Sequence, residues 1–156
     1  SLHKGGFFML KIAICDDNKS ICAEIENMIL DYQKFNCIKF DIEVFNSGEN
    51  LLKYIQNEHN FDLIFLDIEL GRITGVGVGE VIRNEMKDHL SKIVFISGED
   101  GYEMDLFNIQ PLNFLRKPVD KNKIFKCISL TREILGLVDD YFEYKINYET
   151  KKIPYK

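Results

Sequence analysis

Five side chains able to do chemistry each follow directly on a short apolar run. Asp16 and Asp17 follow Leu10-Lys11-Ile12-Ala13-Ile14-Cys15, Asp67 follows Leu63-Ile64-Phe65-Leu66, Ser97 follows Ile93-Val94-Phe95-Ile96, and Lys117 follows the run from Asn113 to Arg116. Any one of them alone is unremarkable, because polar residues commonly end strands. Taken jointly they bring three carboxylates, one hydroxyl and one ammonium to a single sheet edge, since an open parallel sheet binds ligands outside the carboxyl ends of its strands. Two carboxylates about 4 Å apart repel by ~4 kcal/mol at an effective dielectric of 20, and a sequence chosen for stability alone avoids that arrangement. A hard divalent cation removes the penalty. Mg²⁺ takes oxygen ligands, keeps several waters, and is usually held by one or two carboxylates plus a phosphate.

The elements that must position these groups follow from periodicity. The first apolar run stops at two aspartates and reads as a buried strand. After it Ile21, Ile25, Met28, Ile29 and Tyr32 recur at helical spacing, with Asn18 as N-cap. Ile38, Phe40, Ile42 and Val44 alternate as a second strand, Asn46-Ser47-Gly48 turns, and Leu51, Leu52 and Ile55 mark a short helix. The third run, Leu63 to Leu66, is continuously apolar and so predicts a strand covered on both faces. A glycine-rich loop leads to a helix around Val78 to Met86, and the fourth strand spans Ile93 to Ile96. A weaker helix near Glu103 to Asn108, a short strand at Asn113 to Arg116 and a helix from about Lys121 to Leu137 complete five β/α repeats. Such repeats imply a parallel sheet with right-handed crossovers and helices on both faces.

Composition narrows the function classes. The chain has 156 residues, 46% of them hydrophobic, which suits one domain with a substantial core. At this length about 70% of the unfolded surface is buried, so folding requires neither disulfides nor a metal. Twenty Lys plus Arg against 25 Asp plus Glu leaves a net charge of −5, which speaks against non-specific nucleic-acid binding by the whole chain. Cys15, Cys22, Cys37 and Cys127 form no C-x-x-C pair, and the expectation is reduced, structural thiols in a cytoplasmic protein. No apolar run approaches the ~20 residues of a membrane helix. Residues 1–8 read as a leader or added remnant, with Met9 as the natural start.

Ile14-Cys15-Asp16-Asp17-Asn18, Leu66-Asp67-Ile68-Glu69-Leu70, Phe95-Ile96-Ser97-Gly98 and Phe114-Leu115-Arg116-Lys117-Pro118 together resemble the receiver domain of bacterial two-component response regulators. The match runs from Met9 to about Val138 with every motif in order. The resemblance implies a flavodoxin-like α/β (βα)5 fold, a five-stranded parallel sheet in the order 2-1-3-4-5. It implies Asp67 as the acceptor of a phosphoryl group from a sensor histidine kinase. Asp17 and Asp67 would bind Mg²⁺ with the backbone carbonyl of Glu69, and Asp16 would help through water. Lys117 would contact the phosphoryl group, Ser97 would close on it, and Phe114 would turn with Ser97. It also implies a cis Lys117-Pro118 bond and a phosphorylation-dependent homodimer.

Some positions depart from that pattern. Gly77 and Gly79 are unusual in a helix and cost ~2 kcal/mol relative to alanine, so a late or frayed start is expected there. G-V-G-V-G has the wrong spacing for a dinucleotide fingerprint and follows the third strand. Ser97 keeps the hydroxyl of the commoner threonine. His3, His59 and His89 have no ligand spacing for a transition metal, and Phe40, Phe45, Phe65 and Phe95 read as core.

Beyond Val138, Phe142, Tyr144, Ile146 and Tyr148 alternate, Asn147 to Thr150 could turn, and Lys151 to Tyr155 could return as a hairpin. Residues 139–156 thus resemble a linker and the opening of a LytTR-type DNA-binding domain, truncated before most of it. DNA would then be engaged only through that output domain, with no membrane partner. The leading reading is a phospho-accepting switch, not an enzyme. Its rivals are a Mg²⁺-dependent aspartyl-phosphate phosphotransferase or phosphatase acting on a small molecule, and a receiver-like interaction module that is never phosphorylated. A phosphatase of the dehalogenase type places its D-x-D after the first strand, whereas here Asp67 is followed by Ile68-Glu69.

Overall fold

The computed structural model describes residues 9–137. The expectations for residues 1–8 and for the 139–156 tail lie outside the described residues. Five strands, β1 (Leu10–Cys15), β2 (Phe40–Phe45), β3 (Leu63–Asp67), β4 (Lys92–Ser97) and β5 (Asn113–Arg116), pair in parallel in the order β2-β1-β3-β4-β5. That is the expected order. The helices are α1 (Lys19–Asn36), α2 (Gly48–Gln56), α3 (Gly75–Glu80), α4 (Glu103–Leu106) and α5 (Lys121–Ile134).

Two apolar clusters, one on each face of the sheet, account for the all-apolar central strands. Ile12, Ile14, Leu63, Phe65, Val94 and Ile96 pack with Ile25 and Ile29 of α1 and with Ile124 and Ile128 of α5. Ala13, Cys15, Ile64, Leu66, Ile93 and Phe95 turn the other way, toward Leu51, Val78, Ile82 and Leu106. Every residue of β3 is buried, as a strand covered on both sides must be. Cys15, Cys22 and Cys127 are buried free thiols, Cys37 is an exposed one, and burial pushes Cys15 and Cys127 up, Cys127 to about 11. Thiols held protonated in this way are poor nucleophiles, in keeping with a packing role.

Caps set the helix starts near the site. The Asn18 side chain accepts from the backbone N–H groups of Ser20 and Ile21 at 2.9 and 3.2 Å, as anticipated. The expected late or frayed start of α3 is corrected: the helix begins at Gly75, with the Thr74 hydroxyl accepting from the Gly77 N–H at 3.1 Å. Close packing against the sheet offsets the poor helix propensity of the glycines. A Cβ on Gly75 would lie 2.2 Å from the carbonyl oxygen of Asp67, and one on Gly79 would lie 3.0 Å from Ile109 and 3.1 Å from Phe95. The expected α-helix through Met86 is also corrected, because Val81–Glu85 winds as a π turn. Likewise the weak helix near Glu103 is a single α turn that tightens into a 3₁₀ turn at Phe107–Ile109, and β2 starts at Phe40, not Ile38.

The Gly75 contact gives a direct test. Gly75→Ala forces a methyl group against the Asp67 and Ile68 backbone and is expected to destabilise the fold by about 3 kcal/mol, the upper end for overpacking. Gly71→Ala, where a Cβ meets nothing within 4 Å, is expected to change stability by less than about 0.5 kcal/mol. Urea unfolding of both variants measures the contrast, and equal losses would refute the packing account.

Candidate functional site: an acidic cleft with a half-buried lysine

The parallel register carries the five predicted side chains to one edge. Asp67 ends β3, Ser97 ends β4, and Asp16 and Asp17 follow β1 directly. Asp16, Asp17 and Asp67 each offer a carboxylate oxygen within 4.8 Å of the others. Asp16 and Asp67 are both only 2% exposed, while Asp17 stands in solvent at the rim. The Lys117-Pro118 peptide is cis, as the resemblance implied, and Lys117 Nζ lies 3.1 Å from both Asp16 Oδ2 and Asp67 Oδ1.

The two buried aspartates are satisfied to different degrees. Asp16 Oδ1 accepts from the Asn18 N–H at 2.8 Å, and its main chain is fixed by Asp16 N–H donating to Phe45 O and by Asn46 Nδ2 donating to Asp16 O, both at 3.1 Å. Asp16 Oδ2 and Asp67 Oδ1 have no well-formed hydrogen bond and face the Lys117 ammonium alone. Burial and the neighbouring Asp16 charge push the Asp67 carboxyl up to about 6, against the pull of Lys117, and Glu69 adds to the rise. Burial pulls Lys117 down, yet the Asp67 and Asp16 carboxylates outweigh it and hold its pKa above the ordinary value. One cation is shared by two buried anions, and a third waits at the rim.

That inventory fits a hard divalent cation. The donors are all oxygens, two buried oxygens share Lys117 as their one partner, and one ammonium does not neutralise three carboxylates. Asp16, Asp17 and Asp67 are the side chains that would hold it. Sequence spacing alone picked out these residues, and the geometry brings them together.

The sequence matches the family model described as the response regulator receiver domain over residues 12–129. The chain belongs to the response regulator receiver family. Among curated relatives, the sensory transduction protein LytT of Oceanobacillus iheyensis is 34% identical over 90 residues, covering 58% of this chain and 36% of LytT. The transcriptional regulatory protein BtsR of Escherichia coli is 28% identical over 127 residues, covering 80% of this chain and 49% of BtsR. The receiver thus spans about half the length, or less, of these relatives. Its fold is similar to the receiver domain of AraT from Geobacillus stearothermophilus, with TM-score 0.69, 24% identity and coverage of 83% and 97% of the two chains. CheY4 of Vibrio cholerae gives TM-score 0.67 at 20% identity, covering 80% and 99%.

Two features of the receiver were not legible beforehand. Glu69 entered the reading only through its backbone carbonyl, but its side chain reaches β4: Ser97 Oγ donates to Glu69 Oε2, and the Gly98 N–H donates to Oε1 at 3.3 Å. Arg83 is buried in the π turn and carries its charge on carbonyls, with Nε 2.8 Å from Ile109 O and its two terminal nitrogens 2.8 Å from Asp88 O and Ser91 O. Burial lowers its pKa. Nothing in sequence distinguished that arginine from an exposed helical one. Among the described residues no helix is long and apolar enough to cross a membrane.

Proposed function

We propose that this receiver accepts a phosphoryl group from the phosphohistidine of a sensor kinase onto Asp67 and thereby switches a transcriptional output. The observation that carries the reading is the buried Asp67 carboxylate whose Oδ1 is met by Lys117 at 3.1 Å, with two further carboxylates in reach of a shared cation. Transfer of this kind consists largely of positioning and charge compensation. Asp67 supplies the attacking oxygen, and Lys117 stands where it can neutralise oxygens of the incoming group. When bound, Mg²⁺ would add positive charge at the same oxygens, held by Asp16, Asp17, Asp67 and the Glu69 carbonyl. The name of BtsR, a transcriptional regulatory protein, supports a transcriptional output, and the resemblance of the tail supports one through a LytTR-type region. The small-molecule phosphotransferase reading has no comparable support, and a cavity of about 860 Å³ opens near Phe61, Met86 and Ile134, at the far end of the sheet.

Incubating the chain with acetyl phosphate and Mg²⁺ and measuring intact mass tests the reading. One added phosphoryl group per chain supports it, and none overturns it.

Ser97 and Phe114 complete the switch. Ser97 is fully buried, and its hydroxyl is placed beside the end of β3 by the pairing of Asp67 with Ile96. A hydrogen bond from Ser97 to a phosphoryl oxygen would draw the β4 loop inward and open space for Phe114, a local charge event that biases a two-state surface. Phe114 lines an apolar groove of about 390 Å³ with Leu106, Phe107 and Pro111, and Phe107 beside it is 78% exposed. This is the face on which a phosphorylation-dependent homodimer would form. With beryllofluoride and Mg²⁺ the wild type is expected to sediment more as dimer, and Ser97→Ala to shift less while still accepting phosphate. Equal association of both proteins, with and without the mimic, would remove Ser97 from the switch.

A further inference from the structure

We infer that the Glu69 carboxylate is a positioning residue that holds the switch in its resting state by occupying the donors a phosphoryl group must recruit; the inference rests on the phospho-switch reading. Ser97 has one hydroxyl proton and two acceptors in reach, Glu69 Oε2 and the Glu99 carbonyl at 3.0 Å. The charged acceptor makes the stronger bond. The second oxygen of the same carboxylate takes the Gly98 N–H at 3.3 Å, so both donors at the carboxyl end of β4 point at one anion. The Glu99 N–H in turn donates to Ser97 Oγ at 2.9 Å and occupies one of its lone pairs, while the Glu69 carboxylate, which has no proton of its own, takes the hydroxyl proton. Because Ser97 is fully buried, its hydroxyl has no water to turn to.

Register then sets the competition. Asp67 lies opposite Ile96 in the β3 to β4 ladder, and the Ile68 N–H donates to Ile96 O at 2.9 Å, so Ser97 stands one residue beyond the pairing partner of Asp67. Glu69 stands two residues beyond Asp67 on the facing chain. A phosphoryl group on Asp67 would bring new anionic oxygens to a hydroxyl and an amide that a carboxylate already holds. Ser97 cannot donate its single proton twice. Switching therefore requires Glu69 to release it, and the Glu69 contact sets how much phosphoryl occupancy is converted into movement of the β4 loop.

The test uses the full 156-residue chain with beryllofluoride as the probe at saturating Mg²⁺, followed by titration and by the fluorine resonances of the bound mimic. Glu69→Ala is expected to bind beryllofluoride about tenfold more tightly than wild type, the order of one charge-assisted hydrogen bond. Glu69→Gln, which keeps an acceptor oxygen without the charge, is expected to fall between them. Removing a negative charge near the site would also tighten binding, so the decisive comparison is made without the hydroxyl. In a Ser97→Ala background most of the gain from Glu69→Ala should vanish, whereas a gain of the same size there would mean bulk electrostatics and overturn the latch. The resting contact has its own readout: without any mimic, the Gly98 amide proton should move upfield in Glu69→Ala and stay nearly in place in Glu69→Gln. An unmoved Gly98 amide in the alanine variant also overturns it. If wild type binds beryllofluoride and Glu69→Ala binds no tighter, the latch alone fails; if wild type binds none, the phospho-switch reading falls and the latch with it.

Discussion

Asp67→Asn is expected to take up no phosphoryl group from acetyl phosphate and, at pH 7 without metal, to unfold at a higher temperature than the wild type. The first result follows from chemistry. Asparagine keeps the size and planarity of the side chain and loses the anionic oxygen that attacks. The second follows from linkage. The carboxyl of Asp67 is pushed up to about 6 by burial and by Asp16, from an ordinary value of 3.8, so its ionised form is the one the fold disfavours. A group raised in this way costs stability above its folded pKa and relieves the cost as pH falls toward the unfolded value. Over about two pKa steps the cost at pH 7 is on the order of 3 kcal/mol. Metal-free wild type should therefore gain stability between pH 7 and pH 5, and Asp67→Asn should lack that contribution. Thermal unfolding of both proteins across this range, alongside intact mass, reads both results. A variant that is unlabelled but also destabilised would point to a folding defect and remove the support for Asp67 as acceptor.

Mg²⁺ is expected to stabilise the wild type strongly and Asp17→Ala hardly at all. Repulsion among Asp16, Asp17 and Asp67 exists only where the fold gathers them, so a cation that relieves it binds the native state and not the unfolded chain. At 100 times the dissociation constant the gain is roughly 2.7 kcal/mol. Asp17 is the informative position because it is exposed and contributes little packing, so its removal tests coordination with small structural side effects. Melting in Mg²⁺ and in Na⁺ at matched ionic strength separates binding from screening. A wild type that responds equally to both salts would count against the metal site.

The site was legible because topology does most of the positioning. Once five apolar runs are assigned to neighbouring parallel strands, the residues that follow them share an edge whatever the helices do, and Asp16, Asp17, Asp67, Ser97 and Lys117 needed no finer information. The misreadings concern helices, where tertiary contact overrode local preference. Gly77 and Gly79 look like helix breakers until Ile73 beside the first, and Ile109 and the ring of Phe95 beside the second, are seen to occupy the space a side chain would need. The apolar spacing from Val78 to Met86 predicted a helix but carried no signal for the i→i+5 hydrogen bonds of the π winding at Val81–Glu85. The Glu69 side chain was missed for a different reason: whether a carboxylate bonds across to a neighbouring strand depends on its rotamer, and spacing carries no signal for that.

The strands that frame the cleft differ in how firmly they are held. β3 lies at the centre of the sheet with every residue buried, whereas β5 is a four-residue edge strand in which only Leu115 is buried. Amide exchange through local opening costs less where fewer apolar contacts must separate. The Lys117 side of the cleft is therefore expected to open more readily than the Asp67 side, which amide exchange would read. Asp67 is thus expected on the slowest-exchanging strand of the sheet, and Lys117 just past a faster-exchanging one. On the proposed reading, opening at the β5 edge would admit a phosphohistidine without any opening of β3, the strand that carries Asp67.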